Sequence, residues 1–462
     1  MKSVSAYSTL ASPRTIETWR KDLSKLQDTF VAAVSKDTGR SEHESYLYDW
    51  MPVEATLQFL KGNIVSFSEP RRIRSGLPAM LGSRSLVERR LPLGKILVVG
   101  TWNFPLSLHL SQILFALAAG NSVVFKSSPF TPEVARIFAT ELVRIFGAER
   151  FSMWTGTDSE CVSAVAAGQF QGLVFTGGSP AARIYARAAA ESFTKCVLEA
   201  SGSEAALIHP TAIASSKTEG LIDHLLWALL HFNGQTCVAP RYWFVAASQL
   251  DVVWTQLKAT LATPAAAESF ATRAPLRHEG VVKEFQAWVD WASSLKGAAR
   301  FKPLETQPAT FVRLERLADL PLESPSSFGP GAVIVGYESF SDAVEWVRKS
   351  PWSLMTQVYE SGLSENEWNA LQTLETSIVS LGESVTSVGD PAVSFGGKGL
   401  SGSGITHGIE GLRELSRLQV LLEAKSWPGT AHWFFPSFTR VNELKGRVGL
   451  LKAVRKGIGS IF

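Results

Sequence analysis

The stretch KILVVGTWNFPLSLHLSQILFALAAGNSVVFKSS (95–128) decides the fold, because it places a strand, a helix and a second strand in succession. The strand cores are apolar throughout rather than alternating, which is typical of strands covered on both faces. The same order returns in GLVFTGG (172–178), a helix from 179 onward, and KCVLEASG (195–202). Strands that alternate with helices predict a parallel sheet with crossover helices.

A second α/β domain is predicted further along the chain. Its parts are a helix near 219–231, RYWFVAA (241–247), a helix ending near 263, GAVIVGY (331–337), a helix over 339–350, and TQVYES (356–361). Residues 14–75 carry apolar residues at helical spacing and are predicted to be helical. The segment 264–330 is rich in Pro, Ala and Ser and is predicted to form loops and short helices.

Composition excludes several classes of protein. With 462 residues, of which 45% are hydrophobic and 19% charged, the chain can bury the cores of two or three domains and is not disordered. A net charge of +3 leaves no general excess for binding nucleic acid. No apolar run is long enough to span a membrane, and the N-terminus lacks the apolar core of a secretory signal. Three cysteines, Cys161, Cys196 and Cys237, make neither a disulfide framework nor a metal cluster, so we expect a reducing intracellular setting and no metal.

Three residues could carry nucleophilic chemistry, and each has a plainer alternative. Cys237 lies in the polar loop FNGQTCVAP, where a thiol could be an accessible nucleophile or a buried small side chain. Glu199 ends a strand, at the sheet edge where α/β proteins bind ligands, but could be an ordinary strand-end charge. Asn103 in GTWNFP could donate to an oxyanion or simply form a turn before Pro105.

Two further features suit a phosphate or a sugar hydroxyl. Lys126 follows a strand in VVFKSS and could bind either group or be a solvated lysine. FTGGSP (175–180) joins a strand to a helix, where free amides suit a phosphate. It does not match G-x-G-x-x-G, so by itself it is a weak dinucleotide signal.

Taken in order over about residues 90–410, these motifs resemble the aldehyde dehydrogenase superfamily. The ordered pieces are WNFP, AAGNSVVFK, FTGGS, VLE, GQTCVAP, SSFGP and SFGGKGLSGSG. The N-terminal region, NGQTCVAPRYW and the THG stretch look most like the class-3, fatty-aldehyde branch. The resemblance implies a Rossmann-like cofactor-binding domain with N-terminal helices over 1–206, a catalytic α/β domain over 207–415, and a bridging strand with an aromatic and basic tail over 416–462. Further bridging strands are expected near 80–93.

The resemblance also implies a role for each matching residue. Cys237 would attack the aldehyde carbon, Asn103 would bind the oxyanion, and Glu199 would activate the water that releases the acid. The cofactor, NAD or NADP, would be bound by Lys126, Trp102, Thr101, Ser128, Gly177, Gly178, Ser179, Ser326 and Phe328. Among these, Lys126 would hold the adenosine ribose. The substrate pocket would include Phe104, Phe395 and Trp227. The expected reaction is oxidation of an apolar aldehyde, long-chain aliphatic or aromatic, to its carboxylic acid through a cysteine thiohemiacetal and thioester.

The sequence departs from the family pattern at several cofactor positions. Ser326 stands where Glu usually precedes FGP, and Pro129 stands where Glu often follows the lysine by three residues. LEASG replaces LELGG, and Gly178 stands where a serine is common. Because Pro129 brings no carboxylate to repel a 2′-phosphate, we expect both NAD and NADP to be accepted. The departures also motivate an alternative, a member with lapsed redox function that acts as a binding or scaffold protein or as a cofactor-independent thiol catalyst.

The C-terminal residues and the partners complete the expectations. The aromatic stretch 426–438 could cover the substrate mouth or a subunit seam. The segment 442–462 interleaves apolar and basic residues and could be a helix on an anionic membrane surface or a helix docked on a subunit. We expect an aldehyde as the small-molecule substrate, no nucleic-acid partner, a homodimer joined by the bridging strands, and a cytoplasmic location with peripheral membrane contact as the open alternative.

Overall fold

The computed structural model describes residues 10–76, 84–214, 218–304, 307–325, 328–352 and 354–424. Ser326 and the whole of 426–462 lie outside these ranges. Described residues of 66–91 and 417–424 form one compact unit, and those of 10–65 and 92–416 form the other.

The strands, in chain order, are β1 (Arg71–Ile73), β2 (Arg84–Pro92), β3 (Lys95–Val99), β4 (Ser122–Lys126), β5 (Phe151–Met153), β6 (Gly172–Thr176), β7 (Lys195–Glu199), β8 (Glu204–Ile208), β9 (Pro240–Ala246), β10 (Ala299–Phe301), β11 (Thr310–Leu314), β12 (Gly331–Tyr337), β13 (Met355–Tyr359), β14 (Ile378–Leu381), β15 (Gly402–Ser403) and β16 (Ser416–Ala424).

The helices are α1 (Pro13–Ser24), α2 (Gln27–Thr38), α3 (Glu42–Ser45), α4 (Met51–Ser68), α5 (Ser107–Ala118), α6 (Pro132–Ile137), α7 (Val143–Phe146), α8 (Asp158–Ala166), α9 (Ser179–Ser192), α10 (Pro210–Ala214), α11 (Thr218–Leu230), α12 (Leu250–Leu261), α13 (Pro264–Thr272), α14 (Glu279–Ser294), α15 (Phe340–Lys349), α16 (Glu365–Leu371) and α17 (Gly408–Glu414). Within the described ranges, none is long and apolar enough to cross a membrane.

The first sheet has six strands in the order β15-β7-β6-β3-β4-β5. Its pairs are parallel except for β15, which runs antiparallel to β7. Apolar side chains of β3 and β6 pack with those of α8 and α9 in one buried cluster, so the uninterrupted apolar runs are explained by covered faces. The β3–α5–β4 unit is the one predicted from 95–128.

The second sheet has seven strands in the order β10-β11-β12-β9-β8-β13-β14, parallel except for β10. Helices α11 and α12 contribute to the buried cluster on one face, and α14 and α15 to the cluster on the other. A third, smaller sheet has the order β1-β2-β16. The predicted α/β class is therefore confirmed, and the third sheet contains strands near the places where bridging strands were expected.

The expectation of loops and short helices over 264–330 is wrong in part. This segment contains the 16-residue helix α14, and β11, which pairs in parallel with β12. The signal was weak because β11 is only five residues long, and its place in the sheet depends on a neighbouring strand from outside the segment.

Candidate active site

The loop that carries Cys237 is shaped by its contact with the FGP segment. It follows α11 as a short turn over His231–Gly234 and leads into β9. Gly234 has φ +74°, and its carbonyl accepts a 3.1 Å hydrogen bond from the amide of Gly329. A Cβ at Gly234 would lie 2.1 Å from the Gly329 oxygen. The glycine is therefore required for the two segments to meet.

Arg241 holds the same junction together and was not singled out from the sequence. Its buried guanidinium donates through Nη1 to the carbonyls of Gly329 and Gly331, and through Nη2 to that of Gly234. Burial lowers the pKa of Arg241 to about 9. The only available signal was an arginine at the start of an apolar strand, where a charge is unexpected unless it is paired.

Asn103 lies beside the cysteine loop. It follows β3, is buried, and donates from Nδ2 to the carbonyl of Gln235 at 3.1 Å. Gln235 is itself anchored, because its side chain donates to Pro275 at 3.0 Å and accepts from the amide of Arg277 at 2.8 Å. An amide nitrogen carries two hydrogens, so Asn103 keeps a second donor for an oxygen near Cys237.

A buried ion pair between Arg40 and Asp49 stabilises the segment that follows Asn103. Asp49 Oδ1 accepts hydrogen bonds from the amides of Leu106 (3.0 Å) and Ser107 (2.9 Å), which begin α5. Its other oxygen pairs with Arg40, and both side chains are fully buried. The guanidinium of Arg40 also lies over the ring of Phe104, with its carbon 5.0 Å from the centroid. These contacts fix the course of WNFP into the helix.

Glu199 is the last residue of β7 and is buried. Its carboxyl oxygen accepts a hydrogen bond from the hydroxyl of Thr406. Burial raises the pKa of Glu199 to about 7, and the Thr406 hydrogen bond partly offsets that rise. A carboxyl group that is half ionised near neutral pH can accept and return a proton, as a general base requires.

The glycine-rich segment SFGGKGLSGSG pairs with the end of β7 at Glu199. Gly402 of β15 pairs with Glu199, and the amide of Ala200 donates to Ser401 at 2.9 Å. Gly402 has φ +125°, and a Cβ there would lie 1.9 Å from the carbonyl of Leu198. The two backbones therefore meet at a distance that only glycine allows.

The thiol of Cys237 is half-buried, and its surroundings favour the protonated form. Burial raises its pKa to about 12, and the nearby carboxyls of Glu199 and Glu204 add to the rise. Glu204 is a second buried carboxyl, which the sequence did not bring to attention. It accepts hydrogen bonds from the amides of Leu354 (3.2 Å) and Met355 (2.9 Å), and burial raises its pKa to about 8.

The residues assigned to the adenosine end of a dinucleotide lie at the end of β4. Lys126 Nζ forms a 2.6 Å ion pair with Asp158, the first residue of α8. Ser128 is buried, and its hydroxyl accepts from the amide of Phe130 at 3.3 Å. Asp158 thus brings a carboxylate to this lysine from a different part of the chain than Pro129.

The FTGGS turn was expected to offer free backbone amides, but two of these amides donate to other parts of the chain. The amide of Gly177 donates to the carbonyl of Glu199 at 3.0 Å, and Gly178 is the N-cap of α9. The amide of Ser179 donates to Ser201 at 3.3 Å, and its hydroxyl donates to the carbonyl of Leu400 at 2.9 Å. Ser201, a departure from the family pattern, thus stabilises the start of α9.

Two of the residues expected to bind the cofactor, Trp102 and Phe328, lie in one aromatic group. The ring of Trp102 lies 6.1 Å from that of Phe328 and 5.0 Å from that of His278. The amide of Thr101 donates to Nε2 of buried His109 at 3.0 Å, and burial lowers the pKa of His109 to about 4. Ring faces such as those around Trp102 can stack on a flat heterocycle.

The candidate pocket residues fall into two places. Phe104 and Trp227 each lie 5.9 Å from the ring of His231, which also contacts Tyr48, so four rings form one cluster. Trp227 is 36% exposed, which leaves this cluster accessible. Phe395 is 1% exposed and packs in the buried cluster against which Cys237 lies. Phe395, expected in the substrate pocket, is therefore part of the buried core.

An amide, a thiol and a carboxyl brought together in an α/β chain are typical of enzymes that form covalent intermediates on cysteine. The family model described as "aldehyde dehydrogenase family" matches residues 9–421. The chain belongs to the aldehyde dehydrogenase family, as its motifs predicted.

Relatives at moderate identity support the same assignment. A probable coniferyl aldehyde dehydrogenase of Pseudomonas aeruginosa is 27% identical over 409 residues, which span 86% of this chain and 82% of that protein. Aldehyde dehydrogenase family 3 member A2 of Rattus norvegicus is 24% identical over 405 residues, spanning 85% and 80%. The expected resemblance to class-3 members is therefore confirmed.

A solved structure shows the same fold. Aldehyde dehydrogenase C of Pseudomonas syringae, a mutant in complex with NAD+ and octanal, superimposes with a TM-score of 0.76 at 20% sequence identity. The match covers 89% of this chain and 85% of that chain.

Proposed function

We propose that this chain oxidises an apolar aldehyde to the carboxylic acid, with NAD or NADP as the hydride acceptor and Cys237 as the nucleophile. The observation that carries the proposal is the convergence of Asn103, the Cys237 loop and Glu199. The Asn103 amide donates to Gln235, two residues before the thiol, and Glu199 lies close enough to raise the pKa of that thiol.

Each of these residues has a distinct part in the proposed reaction. The sulfur of Cys237 attacks the carbonyl carbon, and the resulting oxyanion accepts hydrogen bonds from Asn103 Nδ2 and the Cys237 amide. The bound nicotinamide supplies the hydride acceptor. Glu199, which Thr406 keeps partly ionised near pH 7, takes a proton from the water that attacks the thioester. The acid leaves and the thiol is restored.

The Cys237 thiol must lose its proton before it can attack, so the site needs a base. With a pKa of about 12, the Cys237 thiol is almost entirely protonated at neutral pH. It becomes a strong nucleophile only when its charge is stabilised or its proton is accepted by a neighbour. Glu199 is the nearby carboxyl with a pKa near 7, and Glu204 is held to backbone amides. Glu199 therefore takes the role of base.

The accessible aromatic cluster favours an apolar substrate. Tyr48, Phe104, Trp227 and His231 present ring faces and edges, which bind aliphatic chains and aromatic rings by burial rather than by charge. One relative is named for coniferyl aldehyde, and the solved relative holds octanal. These substrates are consistent with aromatic and long-chain aliphatic aldehydes here.

Reduced-nicotinamide absorbance tests the proposal directly. Short, long-chain and aromatic aldehydes are offered with NAD and with NADP, using wild type and Cys237→Ala. We expect turnover that is lost in Cys237→Ala and fastest with apolar aldehydes. Absence of turnover with every pair, in protein shown to be folded by circular dichroism, would favour the alternative of a member with lapsed redox function.

We propose the finer organisation on the same basis: residues 1–206 bind the dinucleotide, 207–415 carry the nucleophile, and two copies join through their bridging strands. Leu418, Val420 and Leu422 alternate along β16 and are 49%, 48% and 58% exposed, an apolar row that a second chain would cover. Sedimentation of wild type and a variant with all three changed to Ser tests this dimer. Membrane contact through 442–462 stays a prediction, tested by vesicle pelleting before and after deletion of that segment.

A further inference from the structure

Lys126 and Asp158 form an ion pair at the end of β4. Lys126 ends β4 and its side chain is 13% exposed, whereas the side chain of Asp158 is 87% exposed. The ammonium and the carboxylate are 2.6 Å apart. A carboxylate on the open side of a nearly buried lysine is the first charge that an incoming ligand of that lysine meets.

The position of Asp158 is set by the way α8 begins. Thr157 is the N-cap, and its hydroxyl accepts from the amide of Glu160 at 3.3 Å. The carboxylate of Glu160 returns to accept from the amide of Thr157 at 2.7 Å. The indole of Trp154 donates to the carbonyl of Thr157 at 3.3 Å. With the helix start held by these contacts, Asp158 is placed at the first helical position.

We propose that Asp158 makes this enzyme prefer NAD over NADP. The inference rests on the proposed function and takes Lys126 as the residue that holds the adenosine ribose, as the family resemblance implies. NADP differs from NAD by a phosphate on the 2′ oxygen of that ribose. The Asp158 carboxylate can accept hydrogen bonds from the ribose hydroxyls of NAD. The same carboxylate repels the phosphate of NADP.

Positive and negative charge oppose each other beside Lys126, and Asp158 supplies the negative part. A lysine and a helix N-terminus by themselves favour a phosphate, because both carry positive charge. Asp158 supplies a full negative charge at that helix N-terminus and pairs with the lysine. Removal of this one carboxylate should therefore convert a site that disfavours a 2′-phosphate into one that attracts it.

Calorimetric titration of NAD and NADP into wild type and Asp158→Asn tests the inference without turnover. We expect wild type to bind NAD at least about tenfold tighter than NADP. We expect Asp158→Asn to bind NADP at least about tenfold tighter than wild type does, equivalent to about 1.4 kcal/mol. Affinity for NAD should change by less than that.

Asp251→Asn is the matched control. Asp251 is also near the start of a helix, 86% exposed, and 2.7 Å from an arginine that is 14% exposed, Arg313. It should leave both affinities unchanged. Equal NADP affinity in wild type and Asp158→Asn would overturn the inference while leaving the proposed function intact. Failure of wild type to bind either nucleotide would overturn the proposed function, and the inference with it.

Discussion

Substitution of Thr406 by Val isolates the control of Glu199. Valine keeps the shape of the side chain and removes the hydroxyl that donates to the carboxylate. A hydrogen bond to a charged group contributes about 1.5–3 kcal/mol, which corresponds to roughly 1–2 units of pKa. The pKa of Glu199 should therefore rise from about 7 by that amount. At pH 7 the ionised fraction would fall roughly 5- to 50-fold.

The assay is the dependence of kcat on pH between 6 and 10, followed by reduced-nicotinamide absorbance. For wild type, kcat should rise through an apparent pKa near 7, as Glu199 becomes ionised. For Thr406→Val the same rise should move to higher pH, with activity recovered at the alkaline end. Thr406→Ser keeps the hydroxyl and should behave as wild type. An unshifted profile in Thr406→Val would refute the assignment of Glu199 as the base that limits turnover.

Three further changes test separate parts of the site. Asn103→Ala should lower kcat/KM by roughly 10²- to 10³-fold, because an oxyanion donor is lost. The affinity for NAD, measured by calorimetry, should not change. A variant that only binds NAD more weakly would argue against the oxyanion role. Gly234→Ala should lower the free energy of unfolding in urea more than Gly297→Ala does. Both glycines have φ +74°, but only a Cβ at Gly234 would meet a backbone oxygen, that of Gly329, at 2.1 Å. Equal losses in the two variants would mean that this contact is unimportant. In wild type, stability should fall as pH rises from about 4.5 to about 8, because folded Glu204 holds its proton more tightly than the unfolded chain does. Glu204→Gln should make this fall smaller. Melting temperatures measured across that pH range test this, and an equal fall in wild type and variant would contradict it.

Much of the fold could be predicted from local pattern. The apolar runs of β3, β4, β6 and β7 indicated covered parallel strands, and the helix between β3 and β4 has the predicted place. These features are strong because each depends on residues next to one another in the chain. The prediction of loops and short helices over 264–330 missed β11. A strand of five residues gives a weak local signal, and β11 is defined by its pairing with β12.

The candidate site was predicted only as separate residues. Asn103 follows a strand, Glu199 ends one and Cys237 precedes one, and the order of motifs indicated the family. Sequence order could not show which side chains meet. The hydrogen bond from Thr406 to Glu199 joins residues 207 positions apart. The anchoring of Asn103 on Gln235 spans 132 positions.

The sequence by itself determined the α/β class and the family, because these depend on periodicity and on motifs that stand in a recognisable order. The tertiary structure alone decided the electrostatics. It brought Asp158 to Lys126, Glu204 close to Cys237, and Arg241 to three carbonyls. Charges act through space and through burial, so the pKa of the Cys237 thiol and the charge beside Lys126 follow from packing rather than from neighbours in the chain.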